Sequence, residues 1–366
     1  LVLKPEQGFF YVANEDMDRL LYGLLFMLVL FAPACLDEIE IENADRPEDG
    51  YVVQAKLISG TPSYVEIKVE QLFFYTSNIN RPVNDATVSL VKKTGERYLF
   101  QDIPLDGIYS TYLAQADFPV TTGQEYRIEV EITPEIKLQS DWEKIYATPQ
   151  ADNISWEFTE IETISVDGLI SRSPGIQFNI TTPISTTTER ARLRWEFIDA
   201  YRVTDNLSFT CYIENPYQNN RLFLLDGNAV GPDTLTNYPL FSDRLGVRHI
   251  DGYYLSVFQQ ALSPEAFSYW EQVSALLERE GTVFDNPAGT VSSNISNISD
   301  SAQLVYGFFS AYTQDTLRRF LSRQEMGNLD FYCPRPPTTQ APPPITVCDG
   351  CIDALGASYN KPYYWQ

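Results

Sequence analysis

Five cysteines and one histidine are the residues of this 366-residue chain best suited to chemistry. Four of them, Cys211, Cys333, Cys348 and Cys351, lie in its second half. In an exported chain this even number favours two structural disulfides with three conceivable connectivities. The stretch CDGC at 348–351 could instead form a redox pair or half a zinc site. A thioredoxin-like pair opens a helix after a strand, whereas this one follows the proline-rich run CPRPPTTQAPPPITV. A zinc site takes four nitrogen or sulfur ligands, and the lone His249 lies about a hundred residues away. A Ser-His-Asp triad would need that same His249, in a segment, VRHIDGYY, that reads as a turn entering a strand and suits a structural imidazole. The chain contains no GxxxxGK[ST], HExxH or GxSxG motif. Paired carboxylates for glycoside hydrolysis depend on geometry that spacing does not reveal. LLDGNAVGPDTLTN gathers oxygen ligands without the twelve-residue calcium-loop pattern, so a solvated turn is expected. These residues give no catalytic residue, no metal ligand and no cofactor, and the expectation is a protein that is not an enzyme.

Cys35 poses a different question. It directly follows an apolar run of fifteen residues, Leu20 to Ala34, and LDEIEIENADRPEDG comes after it. A membrane-spanning helix needs roughly 20 apolar residues, and this run also holds Gly23 and Pro33. Its order is that of a secretory signal: Met17, Arg19, the stretch LLYGLLFMLVLF, then small residues before the cut. Residues 1–16 read as an over-called start, 17–34 as the signal peptide, and 35–50 as a lipidated cysteine with an acidic tether. A cysteine directly after the small residues resembles the lipobox of bacterial lipoproteins, in which the thiol is acylated and becomes the new N-terminus. The competing reading, a buried cysteine closing a short core helix, would require apolar partners on every face.

Without residues 1–34 the chain keeps 24 basic and 45 acidic residues, a net charge of −21. Such a charge repels phosphate backbones, so no nucleic-acid partner is expected. The remaining 332 residues suffice for two domains, and 44% hydrophobic with 13% aromatic residues excludes disorder.

Positioning falls to strands. YVVQAKLI, SYVEIKVEQLFFY, ATVSLVKK, RYLF, GIYSTYL and QEYRIEVEI alternate at period two between turn signals, predicting an immunoglobulin-like sandwich over 51–147. Glu66, Lys68 and Glu70 alternate with Val65, Ile67 and Val69, so that strand has one wet face and one core face. TPQADN (148–153) reads as a linker to a larger β-rich domain, 148–366. There ISWEFTEIE, GIQFNIT, ARLRWEFIDAYRV, SFTCYI, RLFLL, YYLSVFQQA and VYGFFSAYT are the expected strands. One amphipathic helix is predicted over 264–280, with Ser263 as N-cap, Pro264 in the first turn and Gly281 beyond the end. Ala266, Trp270, Val273 and Leu277 share a face of it, making Trp270 a core anchor before a ligand platform. The fold class is therefore mainly β: an N-terminal immunoglobulin-like β-sandwich followed by a larger β-rich domain with one main amphipathic helix and a Cys/Pro-rich tail. Exposed aromatics in LFFYTSN and KPYYWQ could stack on sugar rings, though such residues more often close a core or an interface.

YYLSVFQQALSPEAFSYWEQV, then GTVFDNPAGTVSSNISNISDSAQLVYGFFSAYT, then CDGCIDALGASYNKPYYW resemble the Bacteroidetes lipoproteins grouped as domain of unknown function DUF4249. The likeness extends from YVVQAKLISG to KPYYW and carries no established catalytic or binding residues. It implies outer-membrane anchoring through acyl chains on Cys35, exposure at the cell surface, and a TonB-dependent outer-membrane transporter as candidate partner. The triplets at Asp233, Asp300 and Asp315 resemble the O-glycosylation acceptor pattern of the same bacteria. The expected function is a non-catalytic accessory to such a transporter, in nutrient capture or gating. The alternatives are an adhesive or structural surface lipoprotein and, third, an extracellular hydrolase.

Overall fold

The computed structural model describes residues 50–72, 81–101, 104–164, 167–186, 189–217, 221–278, 291–327, 347–348 and 350–365. The signal segment, Cys35, the tether, Cys333, Gly281 and most of LFFYTSN lie outside the described residues.

The period-two runs are strands. β1 (Tyr51–Ser59), β2 (Ser63–Gln71) and β5 (Ile108–Leu113) form antiparallel neighbours. In β2, Val65, Ile67 and Val69 are fully buried, while Lys68 pairs with Glu70 at 2.8 Å on the opposite face. β3 (Thr87–Lys92), β4 (Arg97–Leu99), β6 (Glu125–Thr133), β7 (Ile136–Ser140) and the short β8 (Glu143–Lys144) build the facing sheet. The two inner faces close over Leu57, Ile67, Leu90, Tyr126 and Ile128.

In the second part, β9 (Asn153–Ile164), β10 (Ile170–Pro183) and β14 (Thr234–Arg244) make a three-stranded sheet in the order β14-β10-β9. It packs on β11 (Arg192–Thr204), β12 (Thr210–Pro216), β13 (Phe223–Asp226) and β15 (Tyr253–Leu262) around Phe178, Leu193, Tyr253 and Leu255. Helix α1 (Pro264–Leu277) follows β15. The Ser263 hydroxyl accepts from the Ala266 N–H, and Pro264 occupies the first turn. α1 is shorter than the 264–280 expected, and its anchors are Ala266, Phe267 and half-buried Trp270, whereas Leu277 is 48% exposed.

The two parts are joined by β17 (Val305–Leu321). Its first half pairs in parallel with β1, and its second half pairs antiparallel with β15, making one sheet in the order β18-β12-β11-β15-β17-β1-β2-β5. Here β18 is Ala357–Ser358. β16 (Ile295–Asn297) likewise crosses back to pair with β7. The span 51–147 therefore does not complete its own sandwich: Ile295, Phe309 and Ala311 belong to its core. Nor is 148–153 a loose linker. The Thr148 N–H donates to Thr313 Oγ1 at 2.7 Å, the Ala261 N–H to Thr148 Oγ1 at 3.0 Å, and Gln259 Nε2 to the Pro149 carbonyl at 2.8 Å.

Candidate functional site: a cleft under helix α1

Side chains alternate across a strand, so the residues facing away from the two cores gather on the outer face of the shared sheet. β1 contributes Lys56, β2 Glu66 and Lys68, β11 Arg194 and Glu196, and β17 Phe308, Ser310 and Tyr312. α1 crosses this face and sets Tyr269 against Phe308, ring centroids 4.6 Å apart and stacked. Between helix and sheet lies a cleft of about 260 Å³. It adjoins a groove of about 510 Å³ that shares Lys56, Arg194 and Glu196 and continues past Phe258, Tyr217 and Phe223. The groove is in the size class of small-molecule sites, and the cleft falls just below it.

Arg194 organises the cleft. Its guanidinium carbon lies 3.7 Å from the Trp270 ring centroid, a close cation–π contact, and its Nη2 donates to Glu196 Oε1 at 2.6 Å. Glu196 Oε2 accepts from Gln260 Nε2 at 2.9 Å, which fixes the carboxylate from both sides. Across the cleft Lys56 pairs with Glu66 at 2.9 Å, and the Tyr64 hydroxyl donates to the same carboxylate at 2.6 Å. Burial pushes the Glu66 carboxyl up, but the hydrogen bonds from Tyr64 and Lys56 outweigh it and hold Glu66 below the usual range. Burial raises the Tyr312 phenol, so it stays a neutral donor. Cleft and groove together present Lys56, Lys68, Arg194 and Arg221 against Glu66 and Glu196, a locally basic lining in a chain of net charge −23. Rings, planar donors and anchored carboxylates can hold an amphipathic ligand.

His249 is fully buried, ring to ring with Tyr253 at 4.7 Å. Its Nδ1 accepts from the Gly246 N–H at 3.3 Å, which leaves the proton on Nε2, 3.6 Å from Asp243 Oδ2. Burial, then the neighbouring Arg248 charge, lower its pKa to about 3, so the ring is neutral and a poor base at physiological pH. Arg248 bridges Asp243 and Asp199, the latter at 2.9 Å. Among the described residues no serine hydroxyl is hydrogen-bonded to His249, in keeping with a structural imidazole.

Cys211 on β12 is bonded to Cys351, with Cα atoms 5.8 Å apart. Cys348 is also disulfide-bonded. CDGC is thus not a mutual redox pair. Its Cys351 instead staples the tail to β12 amid Val203 and Ile213. Trp365 packs on Tyr254 and Tyr212, and the Tyr364 hydroxyl donates to Glu214, so two of the KPYYWQ aromatics close a core, while Tyr363 is 87% exposed. In the LLDGNAVGPDTLTN turn, Arg190 pairs with Asp233 at 2.7 Å and Asp226 accepts from the Asn228 N–H at 2.9 Å. Among the described residues no group of three or more His, Cys, Asp or Glu side chains is placed to hold a metal ion. Arg194, Glu196 and Lys56 were not singled out by the sequence; the charged alternation in ARLRWEF was the available sign of a wet face.

Fold and cleft together define a mainly β protein of two packed sandwiches with a cleft under α1. The chain belongs to the family whose model is described as Domain of unknown function (DUF4249), which matches residues 37–318. A comparison with curated proteins finds no match. Among solved structures, a two fibronectin type-III domain segment from chicken tenascin is similar at 13% identity, over 57% of this chain and 90% of that one, with a TM-score of 0.15.

Proposed function

We propose that this protein is a surface-exposed outer-membrane lipoprotein that binds its ligand without transforming it, as an accessory to a TonB-dependent transporter. Cys35, placed after an apolar run and small residues, supports the lipid anchor. The cleft under α1 carries the binding role: it offers stacking surface and fixed hydrogen-bonding groups. Capture followed by hand-over to a neighbouring barrel uses those features and requires no chemistry at the site. The soluble chain from residue 36 onward, screened by thermal shift against a small-molecule library, is expected to give a ligand whose affinity falls about tenfold or more in Trp270→Ala. The same ligand should be recovered unchanged after incubation. Equal affinities in the two chains, or turnover abolished by a single carboxylate or serine change, would refute the reading.

A further inference from the structure

β9 and β10 run beyond the body of the second sandwich. β14 pairs with β10 only from Gly175 onward, and the Leu245 N–H reaches the Pro174 carbonyl; before that β10 has β9 as its ladder partner. Ile164 and Ile170 face one another across the ladder, 71% and 63% exposed. Leu169, 70% exposed, adjoins that pair directly before β10, and Phe158, 54% exposed, lies on the same face of β9 beyond Glu160 and Glu162. A two-stranded ribbon alone is only marginally stable in water, and exposed apolar side chains clustered together, as at Ile164, Leu169 and Ile170, mark contact surfaces. Among the described residues β9 is also the last strand of its sheet, so its outer backbone groups form an open edge there.

The charges on this arm select the occupant. Glu157, Glu160, Glu162 and Asp167 are exposed along it, against Arg172 and Arg244. Arg172 is spent on Glu162 at 2.7 Å, and Arg244 donates to Thr163 Oγ1 at 2.8 Å. A second copy of the arm would bring carboxylates against carboxylates, and an anionic lipid surface would be repelled. We infer that the β9–β10 arm is a docking element for a partner protein that lays an extended segment of alternating apolar and basic residues along the β9 edge, as in strand addition. This rests on the proposed accessory role only in requiring a protein partner.

The test uses the full-length chain expressed in its native host, with a photo-crosslinking phenylalanine analogue in place of Ile170. The same analogue at Tyr112, 70% exposed on β5, is the control. A crosslink specific to the arm, mapped to a Lys/Arg-bearing segment of another protein and reduced about tenfold by Glu160→Lys with Glu162→Lys, is the expected result. No crosslink above control, a crosslink to lipid or to a second copy, or indifference to those charge reversals would overturn it. Co-purification of a transporter without the arm crosslink would remove this inference and leave the accessory role standing. An arm crosslink to a protein other than a transporter would do the reverse.

Discussion

Glu143 is a carboxyl only 2% exposed, lying where β8 meets the start of α1. The Ser263 hydroxyl that caps the helix donates to it while accepting from the Ala266 N–H. Burial, with the nearby charges of Glu265 and Asp141, raises its pKa to about 8 despite that hydrogen bond. The folded state therefore holds a proton that the unfolded chain releases near its ordinary pKa of about 4.3. The stabilising contribution of this group is complete below that pH and is lost as pH rises toward 8. Glu143→Gln mimics the protonated form, so the variant should match the parent near pH 4.5 and grow more stable than it as pH rises toward 8. The gap should widen by about 1.4 kcal/mol per pH unit over that window. Urea unfolding at three pH values reads this directly; a constant gap would mean that the buried carboxyl is already ionised in the folded protein.

At the scale of elements, the splice through β17 depends on Gly307. It sits opposite Val53 with φ +105°, and a Cβ there would lie 2.0 Å from the Val53 carbonyl oxygen. Gly95 shares that backbone region, φ +104°, with open space around it. Gly95→Ala should cost about 1–2 kcal/mol, the strain of the left-handed region. Gly307→Ala should cost about 3 kcal/mol or more, because β1 must also move away. Comparable losses in thermal or denaturant unfolding would show that close approach is not what this glycine serves. The strands themselves were legible: SYVEIKVE puts its apolar residues inward, and Ser263-Pro264 starts the helix where caps predict. β7 and β8 escaped notice because five and two residues carry too little alternation. β14 is interrupted by Pro239 and by Asn237 at φ 48°, and such a proline is tolerated because β14 is an edge strand. The cleft was legible only as a wet face, since its lining comes from four strands and a helix whose adjacency period-two patterning does not encode.

At the scale of the whole molecule, β1 and β17 are about 250 residues apart in sequence, yet they are parallel neighbours. Alternation states that a strand has an inner face; it does not name the strand beside it. That is why 51–147 reads as a self-contained sandwich, although part of its inner layer arrives from 295–313. Without that segment, the fragment loses Ile295, Phe309 and Ala311 from its core and leaves the β1 edge unpaired, along with the fully buried Val53 and Leu57 it carries. Residues 50–147 alone should therefore lack a cooperative melt and aggregate through the bare edge. The same fragment carrying residues 291–313 on a flexible linker should regain dispersed amide resonances and a single unfolding transition. Should 50–147 melt cooperatively by itself, with dispersion equal to that of the extended fragment, β17 would be an ornament on an autonomous domain and the cleft beneath α1 a junction between two independent bodies.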